Sequence, residues 1–255
     1  MGPPWPYLEH PGPLAFAHRG AHSPAGPGEN TLAAFAAAVD LGYSYVETDV
    51  HVTADGVVIA FHDDHLDRVT DRTGAIAELP WSEVQQAKVG ADGDPVPRLD
   101  ELLATWPGLK VNIDPKSDGV VEPLARVLEA SGAIDRVCCG SFSDARLVRL
   151  RQLLGPELCT ALGPRGTARL LGAAFGLPLG TPPAGCSQVP SHVGKLPLVT
   201  PRYVRAAHAR DMQVHVWTID DPDEMTALLD LGVDGLMTDR ADLLKQVLVD
   251  RGEWA

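Results

Sequence analysis

Cysteine is scarce in this chain, with four in 255 residues, and no Cys-x-x-Cys occurs. Neither a zinc knuckle nor a dithiol redox pair is therefore indicated. Cys138 and Cys139 are adjacent and would point to opposite faces of a strand, while Cys159 and Cys186 stand alone. All four read as small buried hydrophobes in a reducing compartment. Cations are also in deficit: 21 Lys+Arg stand against 34 Asp+Glu, a formal charge of −13. That balance argues against nucleic-acid binding, which needs cationic neutralisation of phosphates. An anionic substrate would need a local cation to offset the repulsive average field. No apolar run approaches the length that spans a bilayer. The proline-rich start, Met1 to Pro13, has neither the positive charge nor the apolar stretch of a signal peptide. The expected setting is cytoplasmic, without stable membrane anchoring.

The apolar fraction of 45% and the charged fraction of 22% are ordinary for a globular protein. A core of this size buries roughly three quarters of the unfolded surface, so folding needs no disulfide or metal staple. Residues 1–13 read as an N-terminal extension and 14–255 as a single domain. Leu14 to His18 is a short apolar strand ending on a polar residue. A Gly/Pro-rich loop, Gly20 to Gly28, leads to a helix over Thr31–Leu41, capped by Asn30 or Thr31. Tyr45 to Val52 alternates and puts Glu47, Asp49 and His51 on one face. Asp55-Gly56 marks a hairpin. Folding back about Ala54-Asp55 places His62 opposite Glu47.

Residues 63–97 read as a short, polar, turn-rich insertion with one helix near Ser82–Lys88. From Leu99 onward helix and strand alternate regularly. The parallel strands expected are 14–18, 45–50, 110–114, 136–141, 158–162, 186–189, 213–218 and 235–238. Eight strands, each followed by a helix or a long excursion, predict an α/β fold of the (β/α)8 TIM-barrel type, with a β-hairpin extension after strand 2. An open doubly wound sheet is the rival. Polar residues end nearly every strand, and in a barrel they converge on one mouth.

Two carboxylates on one strand face, Glu47 and Asp49, are costly together unless a cation lies between them. A hard divalent ion with oxygen ligands, Mg2+ or Ca2+, is the natural occupant, and Asp114 from the next strand would complete a facial set. A salt-bridged or solvated strand edge is the alternative. His18 and His62 flank that site from different segments, and imidazole can serve as both acid and base near neutrality. Arg19 can present a bidentate fork to phosphate, and Lys116 adds a point charge.

Together, His18-Arg19-Gly20, Glu29-Asn30-Thr31, Glu47-x-Asp49-Val50 with Thr53-x-Asp55-Gly56, and Phe61-His62-Asp63 resemble the glycerophosphodiester phosphodiesterase family. Ser141-Phe142, Val216-Trp217-Thr218, Gly232-Val233-Asp234-Gly235 and Thr238-Asp239 extend the likeness over about Leu14 to Leu244. The resemblance implies a barrel enzyme that cleaves deacylated phospholipids to glycerol 3-phosphate and an alcohol. It implies Glu47, Asp49 and Asp114 as ligands of one divalent ion and His18 and His62 as the acid–base pair. Arg19 would bind phosphate, with Glu29 and Lys116 as polar support; Asn30 is either a helix cap or a substrate contact. Trp217 would form an apolar wall, unless it is core. The family usually has Glu-x-Lys where this chain has Asp114-Pro115-Lys116. The shorter side chain needs a closer strand or a bridging water to reach a metal.

Two other readings compete. A lysophospholipase D or sphingomyelinase D-like enzyme should expose apolar surface near the barrel mouth, for which the loop Leu177–Pro197 is the candidate. A barrel that binds phosphoesters without turnover would leave the acid–base and ligand positions unexplained.

Overall fold

Residues buried on both faces build the sheet of this chain, which a computed structural model describes over residues 5–254. The strands are β1 (Leu14–His18), β2 (Tyr45–Val52), β3 (Lys110–Pro115), β4 (Val137–Cys139), β5 (Cys159–Thr160), β6 (Cys186–Pro190), β7 (Gln213–Trp217) and β8 (Gly235–Thr238). Between and after them lie helices α1 (Leu32–Asp40), α2 (Leu99–Thr105), α3 (Val121–Ser131), α4 (Asp144–Leu154), α5 (Pro164–Ala174), α6 (Pro201–His208), α7 (Pro222–Asp230) and α8 (Ala241–Asp250). The parallel order is β5-β4-β3-β2-β1-β8-β7-β6. The ends meet through a bridge between Ala161 and Cys186. Leu162 N–H donates to Cys186 O at 2.8 Å and Gly185 N–H to Thr160 O at 2.9 Å across the same seam. The sheet is thus a barrel, as the strand count predicts, and the open doubly wound alternative falls.

Alternation along each strand separates two cores. Outward residues such as Ala17, Val46, Val111, Ile113 and Cys139 pack beneath the helices. Inward residues, among them Phe16, Tyr45, Cys138, Cys159 and Cys186, fill the barrel. Cys138 and Cys139 accordingly go to opposite faces, and all four cysteines are free and buried. The segment read as an extension lies outside the described residues up to Pro4, but Tyr7 and Leu8 join the inner cluster. Tyr45 Oη donates to Tyr7 O at 2.7 Å, and Lys110 Nζ to Glu9 O at 2.7 Å. Trp5–Glu9 thereby floors the barrel at the N-terminal ends of its strands.

The hairpin arm, Val58–Ala60, pairs with β2 as Val50↔Ala60, His51↔Ile59 and Val52↔Val58. Its register corrects the expected one. Thr53 N–H donates to Val57 O at 3.0 Å, so the loop is Ala54-Asp55-Gly56, with Gly56 at φ +88°. A three-residue loop needs that left-handed position, and the fold-back centres on Asp55 alone. Extended, this register carries His62 toward Thr48 rather than Glu47. The insertion is also less polar than its composition suggests. Its helix is Trp81–Val84, and Leu66, Ile76, Val84, Ala87, Val89 and Val96 form a cluster with Ile59 and Phe61 of the arm. No helix is long and apolar enough to cross a membrane among the described residues.

Candidate active site

At the end of β1 the chain must turn sharply without losing its polar side chains. Arg19 (φ 56°) and Gly20 (φ 82°) do this in the left-handed region. A Cβ on Gly20 would stand 2.7 Å from the Ala34 carbonyl carbon, so only glycine fits. Arg19 N–H donates to Glu47 Oε2 at 3.2 Å, and Asn30 N–H to Arg19 O at 2.9 Å. These bonds hold Arg19 in a conformation that costs a non-glycine residue about 1 kcal/mol or more.

A cavity of about 520 Å³ opens at the C-terminal mouth of the barrel. On one side it is lined by His18, Arg19, Glu47, Asp49, His62, Asn112, Asp114 and Lys116, with Trp217 on another wall. Asp49 is buried and lies in register with Asp114 on β3. Lys116 Nζ stands between them, 2.6 Å from Asp49 Oδ1 and 2.9 Å from Asp114 Oδ2. Arg19 Nε lies 3.1 Å from Asp49 Oδ2, an ion pair whose N–H is not aligned for a hydrogen bond. Burial works against the Asp49 carboxylate, but Lys116 and Arg19 overcome it and hold its pKa low. Burial also works against the Lys116 charge, which Asp49 and Asp114 more than restore. Asp114 keeps a raised pKa because its burial outweighs Lys116.

Glu47 is the exception in this cluster. It is 4% exposed, and the one cationic group within 4 Å of it among the described residues is His18, with Nε2 at 3.7 Å. Burial, with Asp49 adding to it, pushes the Glu47 pKa upward.

Both histidines present a carboxylate at Nδ1. His18 Nδ1 lies 2.6 Å from Asp239 Oδ1, which also contacts His22 Nε2 at 3.2 Å. Asp239 is itself pinned, its N–H donating to Asp220 Oδ1 at 2.8 Å. Burial works against a charged His18, yet Glu47 and Asp239 together raise its pKa. His62 Nδ1 lies 2.5 Å from Asp63 Oδ1. Arg68, with Nε 2.5 Å from Asp63 Oδ2, is the main reason that the Asp63 pKa falls to about 2. The Arg68 fork also grips Glu29 at 2.7 and 3.0 Å, and Glu29 in turn meets Arg19 Nη1 at 3.0 Å.

The remaining expected residues sit at different depths. Glu29 is one step back from the cavity, between two guanidinium groups. Asn30 is 1% exposed, donates to Asp49 Oδ2 at 3.2 Å and accepts from Thr48 at 2.7 Å, so it stands behind Asp49. Thr31, not Asn30, caps α1, its Oγ1 accepting from Ala34 N–H at 3.1 Å. Trp217 meets Phe142 edge-on at 5.7 Å between centroids. Four residues not singled out for roles complete the arrangement: Asp63, Asp239, His22 and Arg68. The first two adjoin or end recognisable motifs, whereas nothing in the sequence marks His22 or Arg68.

The expected facial set does not converge as the side chains stand. Among the described residues no three His, Cys, Asp or Glu side chains are disposed to hold a metal ion, and Lys116 fills the gap between two of the three carboxylates. The donor chemistry nevertheless fits a hard divalent ion. Three carboxylates face two cations, and the buried, under-compensated Glu47 is the oxygen donor that such an ion would satisfy.

Comparison with known proteins supplies the context. Residues 18–243 match the model of the Glycerophosphoryl diester phosphodiesterase family. The chain is 43% identical over 256 residues to a "probable glycerophosphodiester phosphodiesterase 2" of Mycobacterium tuberculosis, covering 97% of this chain and 95% of that one. It is 28% identical over 251 residues to a glycerophosphodiester phosphodiesterase of Caldanaerobacter subterraneus subsp. tengcongensis, covering 91% and 96%. The crystal structure of a glycerophosphodiester phosphodiesterase from Agrobacterium tumefaciens superposes with a TM-score of 0.76 at 27% identity, covering 93% of this chain and 99% of that one.

Proposed function

Because the chain belongs to the glycerophosphoryl diester phosphodiesterase family, we propose that it hydrolyses glycerophosphodiesters to sn-glycerol 3-phosphate and an alcohol, with His18 and His62 as its acid–base pair. The observation that carries this reading is the paired arrangement of imidazoles. Each has Nδ1 against a carboxylate, and both line one cavity with Arg19 and Lys116. A carboxylate at Nδ1 fixes the ring and its tautomer, leaving Nε2 for chemistry.

The raised pKa of His18 suits it to hold a proton and deliver it to the departing alcohol oxygen. His62, its Nδ1–H directed to Asp63, leaves Nε2 free to accept a proton from the nucleophile. Arg19 and Lys116 orient the phosphate oxygens and stabilise the charge that builds on them. Glu29 and Asn30 position Arg19 and Asp49, and Trp217 forms an apolar wall. Glu47, Asp49 and Asp114 would hold one divalent ion, Mg2+ or Ca2+. Such an ion supplies Lewis-acid polarisation of the phosphate. The nucleophile is either water or the neighbouring glycerol hydroxyl by way of a cyclic phosphate, which phosphorus NMR distinguishes. Residues 14–255 act as a single domain in this reading, floored by the preceding segment, in a cytoplasmic setting.

The test is a panel of glycerophosphocholine, -ethanolamine, -inositol and -glycerol, with and without divalent metal. EDTA should abolish turnover, and Mg2+ or Ca2+ should restore it. His62→Ala should lower kcat about 10²- to 10⁴-fold, the range for losing a general acid or base; near-normal turnover would remove His62 from the mechanism.

A further inference from the structure

Half of the cavity carries none of the groups that act on the phosphate. Every charged residue lining it comes from positions 18 to 116, and from Gly140 to Met237 the lining carries none. That second half is built mainly from Ala161, Leu162 and Leu171, then Val189, Val193 and Leu198. One polar group there is already occupied, since Gln188 Nε2 donates to Asn112 Oδ1 at 2.8 Å.

The wall does not end at the cavity. Val193 faces Leu196 across a short hairpin, His192–Val193 with Leu196–Pro197. They are 62% and 74% exposed, and Phe142 on the cavity rim is 71% exposed. The lip expected of the Leu177–Pro197 loop is therefore present, and Leu171 and Phe142 enlarge it from outside that loop.

We propose that the preferred substrate is a glycerophosphodiester that keeps one acyl chain on its glycerol, the chain lying along this wall and leaving over the Val193–Leu196 lip. The proposal rests on the phosphodiesterase reading above. A choline or ethanolamine group against the wall would have the Phe142–Trp217 rings but no carboxylate partner, and a polyol would find only the Ser141, Thr167 and Thr218 hydroxyls. A hydrocarbon chain requires neither. Burying it gains roughly three- to fourfold in affinity per methylene. At about 520 Å³ the cavity is in the range that encloses a drug-sized ligand, with the phosphate at one end. In the reaction the P–O bond to the headgroup breaks and a P–O bond from water forms. One water proton goes to His62, and the proton on His18 goes to the headgroup oxygen. The products are an acylated glycerol phosphate and the free alcohol.

The experiment compares choline release from decanoyl lysophosphatidylcholine, kept below its micelle-forming concentration, and from glycerophosphocholine. It uses the full chain with divalent metal. The expected kcat/KM is at least about tenfold higher for the acylated substrate, chiefly through KM, and rises with chain length. Val193→Glu and Leu171→Glu should each reduce that ratio about tenfold; Val193, being exposed, tolerates the change without unfolding. A ratio of one or below in the parent chain, or a ratio that survives both substitutions, overturns the proposal and leaves glycerophosphodiester hydrolysis intact. Failure to cleave any glycerophosphodiester of the panel overturns the underlying reading, and the proposal with it.

Discussion

At the scale of single residues, the informative group is His18, held between two carboxylates. Glu47 on one side and Asp239 on the other favour its protonated form over the opposition of burial. If the imidazolium is the proton donor, activity falls as pH rises through its pKa. Asp239→Asn removes a carboxylate that favours the charged ring, so the alkaline limb of kcat/KM should move to lower pH and kcat should drop about 10- to 100-fold. A limb that stays in place would detach Asp239 from proton transfer. Asp114 makes a second point. Lys116 holds it at 2.9 Å, and its pKa is raised chiefly by burial. Asp114→Ala should raise the metal concentration for half-maximal activity by at least about tenfold, while Asp114→Glu retains tight binding; calorimetric titration with Mg2+ and Ca2+ measures both.

Among the elements, α1 links stability to the site. Thr31 Oγ1 caps it and also donates to Gly28 O at 2.8 Å, while the adjacent Asn30 reaches Asp49. Thr31→Ala should cost about 1 kcal/mol in urea unfolding, the usual value of a lost N-cap. It should also lower turnover, because Asn30 precedes the cap directly. The arm and the insertion act as one element. Ile59 and Phe61 belong to the same apolar cluster as Ile76 and Val84, and Phe61 N–H donates to Asp49 O at 2.9 Å. His62 is thus carried to the mouth by a small core of its own, whereas the ladder with β2 ends before reaching it.

Across the whole molecule, charge and shape work on different scales. The net charge of −13 repels an anionic substrate at long range, whereas at short range Lys116 and Arg19 put two cations on the cavity wall. Salt screens the first over a Debye length of about 8–10 Å and leaves the buried pairs little affected. Raising ionic strength from low to physiological should therefore increase kcat/KM for glycerophosphoglycerol, which carries net negative charge. It should leave zwitterionic glycerophosphocholine nearly unchanged, as initial rates at a series of NaCl concentrations would show. A fall for both would mean that steering toward the mouth is attractive.

What the sequence by itself determined is periodic or contiguous. Strand and helix alternation is a local consequence of which residues are apolar, so Leu14–His18, Leu99–Thr105, Asp144–Leu154 and Gly235–Thr238 coincide with their expected bounds. Glu47 and Asp49 share a face for the same reason. The tertiary structure alone decided whatever depends on groups far apart in the chain. Asp239 meets His18 across 221 positions, because closing the barrel makes β8 the neighbour of β1. Arg68 joins Asp63 to Glu29 because the insertion folds back over the loop before α1. The one-residue register of the hairpin depended on Gly56 adopting positive φ, a choice that composition permits but does not impose. The apolar half of the cavity was legible only in part for a related reason: the loop that holds Val193 stood out as a candidate apolar surface, but only packing brings it to one wall with Leu162 and Leu171, beside His18, Arg19 and Lys116.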